Sequence, residues 1–119
     1  MHYRSLGNSN LKVSTLCLGT MMLGDQTAQP EAAAILSDAR ANGVNYIDTA
    51  DVSSKGASET MVGDLLKGQR QDWVLATKLG NAMSDQVNQG HYSRSWMLHE
   101  VHASLKRLQT DYVDILYLH

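Results

Sequence analysis

Three ionisable residues close three apolar runs in this sequence. Asp48 ends the run from Asn45, Lys78 the run from Trp73, and His119 the run from Val113. Brought together, a carboxylate, an ammonium and an imidazole form a reactive set. The carboxylate holds the ammonium, the ammonium perturbs a neighbouring acid, and the imidazole gives or takes a proton near neutral pH. Each residue alone has an ordinary explanation: a strand-end Asp forms a turn, a strand-end Lys faces solvent, and a strand-end His is hydrogen-bonded and inert. Three at the same end of successive runs point instead to the place where parallel α/β folds build their sites. Side chains alternate along a strand, so Tyr46 shares a face with Asp48, Ala76 with Lys78, and Tyr117 with His119. The three terminal groups are therefore expected to converge at one mouth. Spacing alone gives an α/β enzyme and leaves the reaction open.

The elements that must position these groups follow from the period of the apolar residues. Short apolar runs alternate with stretches of helical spacing, the signature of βα units around a parallel sheet. Four runs are predicted as strands: 16–19, 45–48, 73–78 and 113–119. Two short extended pieces, Tyr3 to Leu6 and Leu11 to Val13, flank Gly7-Asn8-Ser9-Asn10 and predict a hairpin at the floor of a barrel. Between the first two strands, Ala32, Ile35, Leu36 and Ala39 form one apolar stripe, with Pro30 in the first turn and Gly43 as a stop. A second helix is expected to start at a Ser58 cap and to bury Met61, Val62, Leu65 and Leu66. A third, capped by Ser93, places Met97, Val101, Leu105 and Leu108 on one face, with Glu100 and Arg107 largely elsewhere. The polar stretch from Gly80 to Tyr92 is a long loop, and long loops in small domains tend to carry function.

Composition narrows the classes further. Ten Lys+Arg against twelve Asp+Glu give a net charge of −2, too little positive charge for a nucleic-acid partner. No apolar run approaches the ~18 residues of a bilayer-spanning helix, and no signal-like stretch follows the first residues, so the cytoplasm is the expected compartment. The single Cys17, between Leu16 and Leu18, excludes an internal disulfide and is expected to be a small buried apolar residue. His99 and His102 lack the spacing of a zinc helix, and Gly19 to Gly24 has the glycine spacing of a phosphate loop without its Lys, so neither is assigned a ligand. The 119 residues match about half of a ~250-residue (β/α)8 barrel.

Several stretches together resemble the aldo-keto reductase superfamily, in order and with similar spacing. They are Asn45 to Asp51, Gly56-Ala57-Ser58-Glu59, Leu75-Ala76-Thr77-Lys78 and Leu108 to His119, preceded by Tyr3-Arg4-Ser5-Leu6-Gly7 and Leu18-Gly19-Thr20-Met21. The bacterial relatives near the potassium-channel β-subunit branch look most alike. The resemblance implies a TIM-type (β/α)8 barrel that reduces an aldehyde or ketone with NADPH and no metal. It implies that Asp48, Lys78 and His119 are three members of the catalytic set. It also implies that Gly19, Thr20 and Met21, with Asp48, lie against the nicotinamide end of the cofactor. In that family a Tyr gives the proton to the developing alkoxide, its phenol made more acidic by the Lys that the Asp holds.

Two departures stand out. Counted from Asp48 across Thr49-Ala50-Asp51-Val52, the Tyr position is occupied by Ser53. A hydroxyl that is shorter by a ring, and a far weaker acid than a phenol of pKa about 10, is expected to slow proton donation. Tyr46 lies two residues back along its strand, toward the barrel floor, and is a poor substitute. The alternative reading is a catalytically silent scaffold for nucleotide sensing or partner binding. The second departure is that four strands are present where the barrel has eight. The interior face carrying Asp48 and Lys78 is then expected to be covered by the rest of a longer protein or by self-association with a second copy.

Overall fold

The computed structural model describes residues 1–119. Strands β1 (Tyr3–Ser5) and β2 (Lys12–Ser14) pair antiparallel, Tyr3 opposite Ser14, around a turn in which Gly7 takes a positive φ of 54°. Ser14 N–H donates to the Asn45 side-chain oxygen at 2.7 Å and Asn45 N–H to the Ser14 hydroxyl at 3.2 Å. The hairpin is thereby pinned beneath the entry to the strand that starts at Tyr46, on the floor side.

Strands β3 (Leu18–Gly19), β4 (Tyr46–Asp48), β5 (Val74–Leu79) and β6 (Ile115–Leu118) form one parallel sheet in that order. Helices α1 (Gln29–Ala41), α2 (Ala57–Leu65) and α3 (Arg94–Leu108) make the three crossovers. Odd positions of β4 and β5 face the helices: Ile47 and Leu75, both wholly buried, pack with Leu36, Val62, Leu66 and Leu108. Full burial of each such side chain stabilises the fold by roughly 1.5–3 kcal/mol. Even positions line the opposite, concave face, so the predicted alternation holds. The edge strand β6 leaves Leu116, Tyr117 and Leu118 exposed.

The structure corrects four expectations. The first strand is two residues long, and Leu16 and Cys17 before it are exposed rather than buried, because they lie on the open side of the sheet. The residue preceding α2 is Gly56, at φ 91°, and Ser58 sits inside the helix, fully buried. Its hydroxyl donates to the Thr20 carbonyl at 2.7 Å and lies 3.0 Å from the Thr49 hydroxyl, tying the ends of β3 and β4 to α2. In α1, Ala32 and Leu36 are buried while Ile35 is exposed. In α3 the Ser93 cap forms, its hydroxyl accepting from Trp96 N–H, but the fully buried positions are Trp96, Glu100, Ser104 and Leu108.

Helix α3 lies so close to α2 that a Cβ on Gly63 would meet the Arg107 carbonyl oxygen at 2.6 Å. Gly80, at φ 130°, ends β5 against the Tyr92 ring, which a Cβ there would meet at 2.4 Å. The loop that follows is thus folded back onto the strand end it leaves.

Candidate active site

At the carboxyl ends of the strands, Lys78 Nζ donates to Asp48 Oδ2 at 2.6 Å and to the Thr49 carbonyl at 3.0 Å. The pair is partly hydrated, with side chains 22% and 32% exposed. Asp48 is held from behind, since Thr20 donates both its N–H and its hydroxyl to the Asp48 carbonyl, at 3.1 and 2.9 Å. His119 N–H donates to the Leu79 carbonyl at 2.8 Å, and Tyr92 OH donates to the His119 carbonyl. The His119 ring is oriented by Asn81, whose side-chain nitrogen lies 3.2 Å from Nδ1.

Beyond β4 the chain stays in register with β5, Thr49 N–H donating to Ala76 and Asp51 N–H to the Lys78 carbonyl, each at 3.0 Å. It then makes a tight, non-helical turn from Ser53 to Gly56, in which Ser54 and Lys55 adopt φ values of 50° and 55°. Left-handed backbone at residues with a Cβ costs on the order of 1–3 kcal/mol each, so this turn stores strain beside the site. Ser54 hydroxyl donates to the Met21 carbonyl at 3.0 Å and links the turn to the segment after β3.

These elements enclose a cavity of about 440 Å³. Asp48, Lys78, His119 and Ser53 line it, as do Gly19, Thr20 and Met21. Every residue singled out from the sequence is therefore brought to one place. An apolar wall of Met21, Met22, Leu23 and Ile35 completes the lining, which accounts for the exposure of Ile35. Nothing lies within 4 Å of where a Gly19 Cβ would stand, so the backbone there offers an open, flat approach.

On the concave face below, Tyr46 and Tyr117 join hydroxyl to hydroxyl at 2.7 Å across β5, and Lys78 Nζ stands 5.9 Å from the centre of the Tyr117 ring. Burial first, and then the bond to Tyr117, raise the Tyr46 phenol and keep it protonated. Cys17 shares this face. The surrounding chain, and then the Asp48 carboxylate, push its thiol up to about 11, so it is no nucleophile near neutral pH.

Residues 15–119 match the family model described as the aldo/keto reductase family. The chain belongs to the aldo-keto reductase family. It is 43% identical to the uncharacterized oxidoreductase YqkF of Bacillus subtilis, over all of this chain and 39% of that protein. It is 40% identical to a probable voltage-gated potassium channel subunit beta of Arabidopsis thaliana, over all of this chain and 37% of that protein. Among solved structures, the holo form of aldo-keto reductase AKR11C1 from Bacillus halodurans superposes with a TM-score of 0.87 at 43% identity, over 100% of this chain and 40% of that one. These aldo-keto reductase neighbours imply a (β/α)8 barrel, of which the four strands here are part. The chain spans about two fifths of the length of the relatives it matches.

Part of the surroundings of this aldo-keto reductase site escaped the sequence reading. Asn81 lies in the polar loop that had been singled out as functional, but its contact with His119 spans 38 positions. A second cluster lies behind the site, against the helices. Arg107 donates from Nε to Glu59 and from Nη2 to Glu100, each at 2.8 Å, and Thr77 hydroxyl donates to the other Glu59 oxygen at 2.8 Å. Burial of the Arg107 guanidinium opposes its charge, and the two carboxylates more than compensate, so its affinity for the proton rises. Glu100 and Arg107 are seven residues apart, two turns of one helix, and that spacing was a signal available in the sequence.

Proposed function

We propose that the whole protein catalyses NADPH-dependent reduction of an aldehyde or ketone to an alcohol, with Asp48, Lys78 and His119 in catalytic roles and with proton delivery weakened by Ser53. The observation that carries this reading is the 2.6 Å Lys78–Asp48 pair at the mouth of a cavity that His119 and Ser53 also line. The residues present suit the nicotinamide end of the cofactor. Gly19 leaves its backbone open, Thr20 is locked to Asp48, and Met21 flanks the same lining. When bound, the reduced nicotinamide supplies hydride to the carbonyl carbon.

The chain's own groups manage the charge and the proton. As negative charge grows on the carbonyl oxygen, the Lys78 ammonium stabilises it electrostatically, and Asp48 keeps that ammonium in place. The His119 ring, held by Asn81, hydrogen-bonds the oxygen. Ser53 occupies the position from which the family's Tyr donates, and its hydroxyl is too weak an acid and too short to do the same directly. General-acid assistance is worth ~10²–10⁴-fold, and reduction by the Ser53 form is slowed by about that factor.

The experiment is NADPH oxidation with a reactive aromatic aldehyde, measured on the full-length protein before and after Ser53→Tyr. A gain of about 10²-fold or more is expected in the variant. Unchanged cofactor binding without any gain overturns the reductase reading. Ser53 itself favours a second reading, in which the site binds nucleotide without turning it over and serves as a sensor or a partner-binding scaffold. The same assay then shows binding and no reduction in either form.

A further inference from the structure

The loop of residues 80–92, between β5 and α3, closes on itself. His91 N–H donates to the Gly80 carbonyl at 2.6 Å, with Gly80 at φ 130° and His91 at φ 63°, and this pair forms a narrow neck. Further out, Met83 N–H donates to the Gln89 carbonyl at 3.0 Å, and Val87, midway along the loop, is 87% exposed. No residue of the loop lines the cavity, and none of its hydrogen bonds reaches Asp48, Lys78 or Ser53. The loop meets the site at one residue, and it does so from its neck. The Asn81 side-chain nitrogen lies 3.2 Å from His119 Nδ1, and Tyr92 OH donates to the His119 carbonyl.

Those two contacts have different consequences. The main chain of His119 is already placed by its own N–H on the Leu79 carbonyl at 2.8 Å, so Tyr92 adds a second hold on a strand end that is fixed without it. The ring is not fixed in that way. The torsion that turns an imidazole about its Cβ–Cγ bond is broad, so a placed backbone leaves the direction of the two nitrogens open. The charged groups that line the cavity with His119 are Lys78 and Asp48, and they are bonded to each other. Asn81 is the one hydrogen-bond partner the ring has.

We propose that the loop of residues 80–92 acts on the site solely through His119, with Asn81 as the positioning residue that aims the imidazole at the carbonyl oxygen of the substrate. An amide carries a donor and an acceptor side by side, and a turn about its own bond exchanges them. Asn81 therefore suits Nδ1 whether or not that nitrogen bears a proton. Leu, of similar bulk, offers neither group. The aim at a substrate oxygen rests on the reductase reading, whereas the contact between Asn81 and the ring does not.

The test uses the full-length protein in the Ser53→Tyr background, labelled with ¹⁵N in the histidine rings, with and without Asn81→Leu. The variant should lower kcat for an aromatic aldehyde about tenfold, the effect of one lost hydrogen bond, and should leave KM for NADPH within about twofold. The ¹⁵N resonances of the His119 ring, recorded without substrate, should move in the same variant. Val87→Ser should leave both readouts at the parent's values. The proposal is overturned if the His119 ring resonances are unmoved in Asn81→Leu, if KM for NADPH rises as much as kcat falls, or if Val87→Ser lowers kcat as far as Asn81→Leu does. Absence of turnover in every form overturns the reductase reading, and the ring resonances then decide by themselves whether Asn81 holds the imidazole. Should Asn81→Leu fail to fold, Asn81→Ala carries the same expectations.

Discussion

Two clusters of paired opposite charges stand on either side of the sheet and behave differently. At the mouth of the cavity one ammonium meets one carboxylate, both partly wet, and each partner keeps solvent or a backbone oxygen as a second choice. Behind it, against the helices, two carboxylates, Glu59 and Glu100, share the Arg107 guanidinium, and Glu59 is entirely shielded from water. The first arrangement suits chemistry, because its charges stay reachable and cost little to hold. The second makes the sheet–helix packing depend on exact charge balance, since a missing partner leaves a bare ion in a dry place. Position relative to the sheet, rather than residue type, decides which of the two a carboxylate becomes.

Three substitutions separate the regions. Lys78→Met in the Ser53→Tyr background should lower kcat/KM by ~10²–10⁴-fold while leaving the thermal midpoint close to its parent, since the pair is hydrated and its loss strands no buried charge. A collapse in stability instead would mean that the mouth is built like the interior. Arg107→Met should cost about 3–5 kcal/mol in urea unfolding, because Glu59 and Glu100 lose their shared cation. A cost below about 1 kcal/mol would erase the distinction between the clusters. Arg40→Ala removes a surface pair with Asp72, half exposed on both sides, and should change stability by no more than about 1 kcal/mol by the same measurement.

The parallel sheet and its concave face were legible because strands covered by helices alternate strictly, and the parity that buries Ile47 and Leu75 turns Asp48 and Lys78 to the other side. The Ser93 cap was legible because its signal is local. The buried stripe of α3 was misread in favour of Met97, Val101 and Leu105, since periodicity weighs apolar residues and Glu100 enters the interior only with Arg107 and, from another helix, Glu59 beside it. Ser58 looked like a helix cap for a similar reason: its partners Thr20 and Thr49 belong to other elements. Cys17 was expected inside because Leu neighbours usually mean burial, and here it lies at the start of a strand whose concave face is open.

The Tyr46–Tyr117 bridge has a consequence for the stiffness of the sheet. Two rings joined oxygen to oxygen across β5 clasp the edge strand β6 to β4, with the Lys78 ammonium above one of them. A shift of the edge strand therefore has to break a side-chain bond as well as the backbone ladder.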